Sequence, residues 1–419
     1  MFQTTMSKSK YSTFTDLRNA MHDELPGGTQ LVETPKALEQ VCHHLAEADI
    51  LALDTEFIRE RYYYPKLEVI QLSDGEFIAV VDVPAVGDLS PLARLLASPE
   101  RRIIIHSANE DVAILQRDLG IDLAGVFDTQ LAAAMVGLEM RMSLARLIQE
   151  LLGVSVSKDH QRSDWSLRPL SPEQVAYAAE DVRHLHALHK VLEERLEQMD
   201  RLEWFREEQA LRIQTILHAT PVPDDRCYTL VRNWKTLSSE NLAILRELAA
   251  WREKTCREKN IPRGHLLSDE ALVELTRAKP LTREKLQKVR FVNQGQALRH
   301  FDSIRKAIQR GQAIPPNERP VKPRDRRIVL PTGVIELCRA IVQIRAEQMH
   351  IAPELLATIA DLEVVASQRT NPEGLELPLL RGWRHKVCGR HILDLLLGHL
   401  SVRVGPDGDL VVEERLSAQ

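Results

Sequence analysis

Two carboxylates in the run LALDTEF, Asp54 and Glu56, stand two residues apart in an otherwise largely apolar stretch. In an extended strand that spacing puts both side chains on one face, with Leu53, Thr55 and Phe57 on the other. Acids at the end of a buried strand are costly unless something positive meets them or the strand ends in solvent. A hard divalent cation, Mg²⁺ or Mn²⁺, would meet them through carboxylate oxygens. A third acid, Asp111, follows RIIIHSANED, where a strand runs into a helix. Acids in a first helical turn complement the helix dipole. Asp111 alone therefore reads as a helix-start charge, and His106, closing the strand, as a structural histidine.

The segment SPEQVAYAAED, 171–181, adds a tyrosine and a fourth acid. Ser171 suits an N-cap, Pro172 the first helical position and Gln174 the third, which completes a capping box. A helix begun there stacks Tyr177 and Asp181 on one face. Ala178 and Ala179 leave room for close approach. Taken alone, the segment also fits a core tyrosine beside a surface aspartate.

The elements that must position these residues follow from local pattern. Residues 1–28 are polar and end in Pro-Gly-Gly, a loosely ordered extension. TQLVE, DILALDTEF, LEVIQLS, FIAVVDV and RRIIIH read as strands, with a turn at Asp74-Gly75. PKALEQVCHHLAEA reads as a helix, and the chain is mostly helical from about 107 to 218. Strands mixed with helices predict an α/β domain over 29–218, around one mixed sheet with flanking helices. The Pro/Asp-rich break ATPVPDD opens a linker, 219–236, before a helical module at 237–311. A Pro-rich, basic linker, 312–328, leads to a second helical module at 329–410.

Bulk properties narrow the field. The chain has 419 residues, 44% hydrophobic and 27% charged, with a net charge of −5. That balance argues against coating nucleic acid by bulk electrostatics but leaves room for local basic surfaces. Five scattered cysteines, never in C-x-x-C spacing, indicate a reducing compartment and no thiolate zinc site. With neither a secretory signal nor an apolar window of about 18 residues, the expected location is cytoplasmic, away from membranes. Of His184, His186 and His189, the first two diverge on a helix and only 186 and 189 are near neighbours, so the three are not read as a metal cluster. No P-loop or Rossmann fingerprint is present.

D-x-E on a strand, an Asp at a helix start, and Y-x-x-x-D on a later helix occur in that order. In this the chain resembles the DEDD superfamily of 3′→5′ exonucleases, in the subclass with tyrosine in its third motif. The likeness is closest in QRSDWSLRPLSPEQVAYAAEDVRHL, which resembles the ribonuclease D family. The resemblance implies a ribonuclease-H-like fold and two divalent metal ions, Mg²⁺ or Mn²⁺, held by Asp54, Glu56, Asp111 and Asp181. It also implies that Tyr177 orients the attacking water. The expected activity is hydrolysis of RNA from a free 3′ end to nucleoside 5′-monophosphates, on substrates such as tRNA precursors, by a monomeric enzyme. A DNA-directed exonuclease and a non-catalytic RNA-binding adaptor are the competing readings. All five motif residues are present, which an adaptor has no reason to keep.

For RNA contacts, Phe57 and Trp165 are candidates to stack on or wedge terminal bases. Thr55 and Gln71 are further candidates through the resemblance. Residues 156–165, VSKDHQRSDW, read as a polar loop over the site. AAWREKTCREKNIPRGHLLSDEALVELTRAKP resembles an HRDC domain, a helical nucleic-acid-binding module. Its Arg252, Lys254, Arg257, Lys259 and Arg263 suggest a surface for RNA backbone. The last module resembles a second, divergent HRDC domain.

Overall fold

A computed structural model describes residues 28–123, 125–156, 163–322, 332–369 and 372–414. The N-terminal extension, 1–28, falls almost wholly outside the described residues, as do 157–162 of the expected polar loop, 323–328 of the second linker and 329–331 of the second module.

The main sheet is built from β1 (Thr29–Val32), β2 (Ile50–Ile58), β3 (Lys66–Ser73), β4 (Ile78–Asp82), β5 (Arg102–Ile105) and β6 (Val126–Asp128). Their order across the sheet is β1-β4-β3-β2-β5-β6. β3 and β4 are antiparallel, whereas β1 pairs with β4, and β5 with β2 and β6, in parallel. The sheet is therefore mixed, as expected. β6 departs from the helical expectation beyond residue 107: three residues, VFD, are too short to show a period but complete the edge beside β5.

Five helices carry or support the site: α1 (Pro35–Leu45), α2 (Asn109–Leu119), α3 (Thr129–Met135), α4 (Pro172–Arg183) and α5 (Leu185–Gln198). α6 (Leu202–Leu217) ends the segment. One face of the sheet, including Ala52, Val69, Val80 and Ile104, packs with α3, α4 and α5. In α4, Ala178 and Ala179 are fully buried there. Small side chains let that helix lie close to the strands.

By contact density the described chain divides into two compact units. The first comprises the described residues within 28–56, 67–217 and 332–414; the second comprises 57–66 and 218–322. Within the second unit, α7 (Ser239–Lys259), α8 (Asp269–Ala278), α9 (Arg283–Gln287), α10 (Gln294–Arg299) and α11 (Phe301–Ala313) enclose their own core around Leu245, Leu248, Leu272 and Ile304. The segment 57–66 belongs to this unit through specific contacts. The Tyr63 hydroxyl donates to Glu253, the Tyr64 N–H donates to Asn260 Oδ1 at 3.0 Å, and Arg263 lies over the Tyr63 ring at 5.4 Å.

The last helices, α12 (Thr332–Met349), α13 (Ile359–Ser367) and α14 (Arg390–Leu397), share the core of the six-stranded sheet through Cys338, Ile341, Val365 and Ile392, with Cys388 just before α14. Arg201 fastens this packing. Its buried guanidinium donates to the carbonyls of Met135 at 2.6 Å and His350 at 2.7 Å, and to that of Met349. Trp204 stacks on Trp383 at 5.3 Å, and Arg384 pairs with buried Glu208 at 2.7 Å. Gly137, at φ +93°, passes so near the chain that a Cβ there would lie 2.8 Å from the His350 carbonyl oxygen. The chain closes with a hairpin, β7 (Leu400–Val404) against β8 (Leu410–Glu414), around Gly405-Pro406-Asp407-Gly408. The expectation of helix alone does not hold there: short alternating runs on either side of a Gly/Pro/Asp turn favour a hairpin. Among the described residues no helix is long and apolar enough to cross a membrane.

Candidate active site

The period of β2 and the cap of α4 together build the site. Asp54 and Glu56 project from one face of β2, the face that Ala52 commits to the core with α4. At the start of α4, the Ser171 side chain accepts from the Gln174 N–H at 3.2 Å, and Gln174 Oε1 accepts from the Ser171 N–H at 3.0 Å. This capping box fixes where the helix begins, and hence where Tyr177 and Asp181 fall. Carboxylate oxygens of Asp54, Glu56 and Asp181 lie within 4.8 Å of one another. Asp111, buried in the first turn of α2, is close enough to raise the pKa of both Asp54 and Glu56.

Its anchor is Thr55, which shares β2 with the two acids. The Thr55 hydroxyl donates to Asp111 Oδ1. Thr55 is itself buried, so it is not an RNA contact here; its hydroxyl is spent on orienting a carboxylate. A second anchor, absent from the sequence reading, is Asp128. Its carboxylate accepts from the N–H groups of Ser107 at 2.9 Å and Ala108 at 3.1 Å, just before α2, and from Gln130 at 2.8 Å. That holds the turn from which Asp111 projects. An acid directly after an apolar VF pair and before a helix was the available signal.

Electrostatically the cluster is frustrated. Burial, then the charges of Asp111, Asp181 and Glu56, push Asp54 well above the usual carboxylate range. Burial, then Asp181 and Asp111, raise Glu56 to about 9. Burial raises Asp181 to about 7 against the opposing hydrogen bond from Tyr177, and raises Asp111 to about 6 against that from Thr55. No cation is among the causes acting on these four groups. Burial, then Asp181, Glu56 and Asp54, hold the Tyr177 phenol above its ordinary value, so it is neutral at physiological pH. An all-oxygen donor set, buried and without a counter-charge among the described residues, fits hard divalent cations.

The remaining candidates divide. Phe57 is half-buried, with Arg59 at 6.0 Å from its ring. Gln71 is fully buried with neither amide atom hydrogen-bonded, so it presents nothing to a substrate in this conformation. Trp165 is buried too, at 3% exposure, and its ring lies 6.2 Å from that of Tyr177. It backs the tyrosine instead of offering a free face to a base. Arg168 pins that stretch: it pairs with buried Asp82 at 2.6 Å and donates to the carbonyls of Trp165 at 2.6 Å and Glu68 at 3.2 Å. Trp165→Leu should lower kcat about tenfold by loosening Tyr177, and a double-mutant cycle checks it. The loss should largely disappear in a Tyr177→Phe background; purely multiplicative effects would mean that Trp165 does not act through the tyrosine.

Arg252 is 2% exposed, donates to the Leu267 carbonyl at 3.0 Å and pairs with Asp269 at 2.8 Å. It ties α7 to the start of α8 and is not available to RNA, because the helical period turns it into the core. Lys254 remains exposed, 3.9 Å from Glu258. The histidines behave as structural groups: His106 bonds Thr129 at 2.9 Å and the Met142 carbonyl at 3.0 Å. His184, His186 and His189 each take a different partner.

A mixed sheet with four clustered carboxylates and an adjoining tyrosine defines a divalent-metal-dependent 3′→5′ exonuclease, and a 3′-5′ exonuclease family model matches residues 29–197. An HRDC domain model matches 241–308. The chain is 34% identical to ribonuclease D of Acidiphilium cryptum over 89% of this chain and 94% of that one. It is 35% identical to ribonuclease D of Gluconacetobacter diazotrophicus over 91% and 95%. The crystal structure of Escherichia coli RNase D, an exoribonuclease involved in structured RNA processing, superposes with a TM-score of 0.78. Its identity is 27%, over 88% of this chain and 99% of that one. The chain belongs to the ribonuclease D family and is a 3′→5′ exoribonuclease.

Proposed function

We propose that this exoribonuclease trims the 3′ tails of structured RNAs, tRNA precursors in particular, releasing nucleoside 5′-monophosphates in the cytoplasm as a monomer. The observation that carries the catalytic part is the convergence of Asp54, Glu56, Asp111 and Asp181 without a counter-cation among the described residues. These four residues would hold two divalent ions, Mg²⁺ or Mn²⁺. Such ions, when bound, supply Lewis-acid polarisation of the phosphate and a more acidic water.

The protein's own groups do the rest. Thr55 and Asp128 keep Asp111 in place. The neutral Tyr177 phenol shares a hydrogen bond with Asp181. With its proton directed there, its oxygen is free to accept from a water and aim it in line with the scissile phosphate. The burial that raises the phenol argues for positioning over a phenolate base. The helical segment from Thr332 serves in this reading as a second, divergent HRDC-like domain.

Tyr177→Phe tests the hydroxyl while keeping the ring. Its kcat should fall on the order of 10- to 100-fold, with KM near the parental value, in steady-state assays on 3′-tailed RNA. A parental rate would remove Tyr177 from the mechanism.

A further inference from the structure

Three of the five cations from which the sequence builds a basic surface on α7 and its turn are committed elsewhere, leaving Lys254 and Lys259 exposed there. On α7 and the turn after it, Arg252 is buried, Arg257 pairs with Asp224, and Arg263 pairs with Glu253. Residues 283–310 hold eight Arg and Lys against two acids, Glu284 and Asp302. Lys285, Lys288 and Arg290 in that stretch are exposed and have no carboxylate partner among the described residues.

At the tip of the same turn stands Phe291, 72% exposed, with a backbone φ of +61°. A left-handed backbone is unfavourable for a side chain of this kind. The turn nevertheless cannot fold the ring inward. Val289 and Val292 on either side are buried, and the Gln294 side chain donates to the carbonyls of Gln287 at 3.3 Å and Val289 at 3.5 Å. The Asn293 side chain then caps α10. The fold therefore holds an aromatic ring in water, in a strained conformation, on a turn that also carries Lys288 and Arg290. Strain kept at a fixed, exposed turn is a mark of function. A single ring on a charged turn is too small an apolar patch for a protein interface, whereas a ring on a turn that carries cations suits a single-stranded nucleic acid.

We propose that the turn 288–293 grips the single-stranded part of the RNA substrate, Phe291 stacking on a base while Lys288 and Arg290 hold the neighbouring phosphates. The inference rests on RNA as the substrate but not on the catalytic cluster. Binding of a fluorescein-labelled 15-nucleotide oligo(A) RNA to the full chain, in an Asp181→Asn background that leaves the probe intact, tests it by anisotropy. Phe291→Gly should weaken binding at least about fivefold while the melting temperature stays level or rises, because glycine relieves the left-handed backbone. A fall in melting temperature with unchanged affinity would make Phe291 structural and overturn the proposal. Lys288→Ala with Arg290→Ala should reduce the slope of log K against log salt by about 1.4, two single-strand phosphate contacts; an unchanged slope would also overturn it. Since the readout is binding, loss of the grip and failure of the nuclease assignment are separate results.

Discussion

Asp181→Asn will reduce RNA degradation on the order of 10³-fold or more and will, at the same time, make the metal-free protein more stable. The first effect follows from removing one of three carboxylates whose oxygens lie within 4.8 Å of one another. Losing several kcal/mol of transition-state stabilisation at such a centre amounts to about three decades in rate. The second follows from the same crowding. After burial, the Asp181 charge helps to raise both Asp54, behind Asp111, and Glu56, so a neutral amide in its place removes repulsion from a buried site. A substitution that merely damages the fold lowers both quantities, so the opposite signs are diagnostic. The assay uses 3′-tailed tRNA and matched single-stranded DNA with Mg²⁺ or Mn²⁺, beside thermal melts in EDTA. Stepwise shortening of RNA alone, lost in the variant, separates the RNA reading from the DNA one. Equal activity of parent and variant would sink the assignment.

The metal-free protein should also lose stability as pH rises, opposite to the usual behaviour of ion-paired carboxylates. Unfolded, these acids titrate near about 4. Folded, Asp111 sits at about 6, Asp181 at about 7 and Glu56 at about 9, with Asp54 raised as well. Between about pH 4 and pH 9 the folded state therefore binds more protons than the unfolded state, and the unfolding free energy falls with pH. Their contribution is complete below about pH 4 and is lost stepwise as pH passes those folded values. In EDTA, the melting temperature at pH 6 should exceed that at pH 9 by roughly 5–10 °C. Saturating Mg²⁺ should flatten or invert the difference, because the cation binds the deprotonated ligands and stabilises the folded state. Melts across this window, with and without Mg²⁺, decide the point. A metal-free profile that is flat or rises with pH contradicts the frustrated cluster.

What could be read from the sequence was what local geometry determines. The pair Asp54 and Glu56 shares a face because a strand has period two, and Tyr177 and Asp181 share one because Ser171 and Gln174 fix the start of their helix. The strands around Ile70, Val80 and Ile104 were equally plain, being unbroken apolar runs. Three residues of β6 carried too little period to be seen. Side-chain direction at long range was also hidden. Nothing local says that Thr55 turns to Asp111, 56 residues on, or that Arg252 is a core residue and not a surface one. Trp165 lies in a polar context, SDWS, yet is buried against Tyr177 because Arg168 draws its segment onto two buried acids. Polar neighbours signalled exposure; their partners, distant in sequence, reversed it.

The division of the chain bears on how the enzyme can be dissected. Residues 218–322 interrupt a unit that begins before them and resumes after them, so the HRDC-containing segment is an insertion in sequence, not an appendage. A stop codon after Leu217 would strip Ile341, Cys388 and Ile392 from the core they share with the sheet, and would take Trp383 from Trp204 and Arg384 from buried Glu208. It would also leave the Arg201 guanidinium without two of its three carbonyls. A minimal nuclease is thus better sought by excising the insert and rejoining the flanks than by shortening the chain from its end. Even excision has a cost, since Tyr63 and Tyr64, only a few residues beyond Glu56, would lose the groups that hold them.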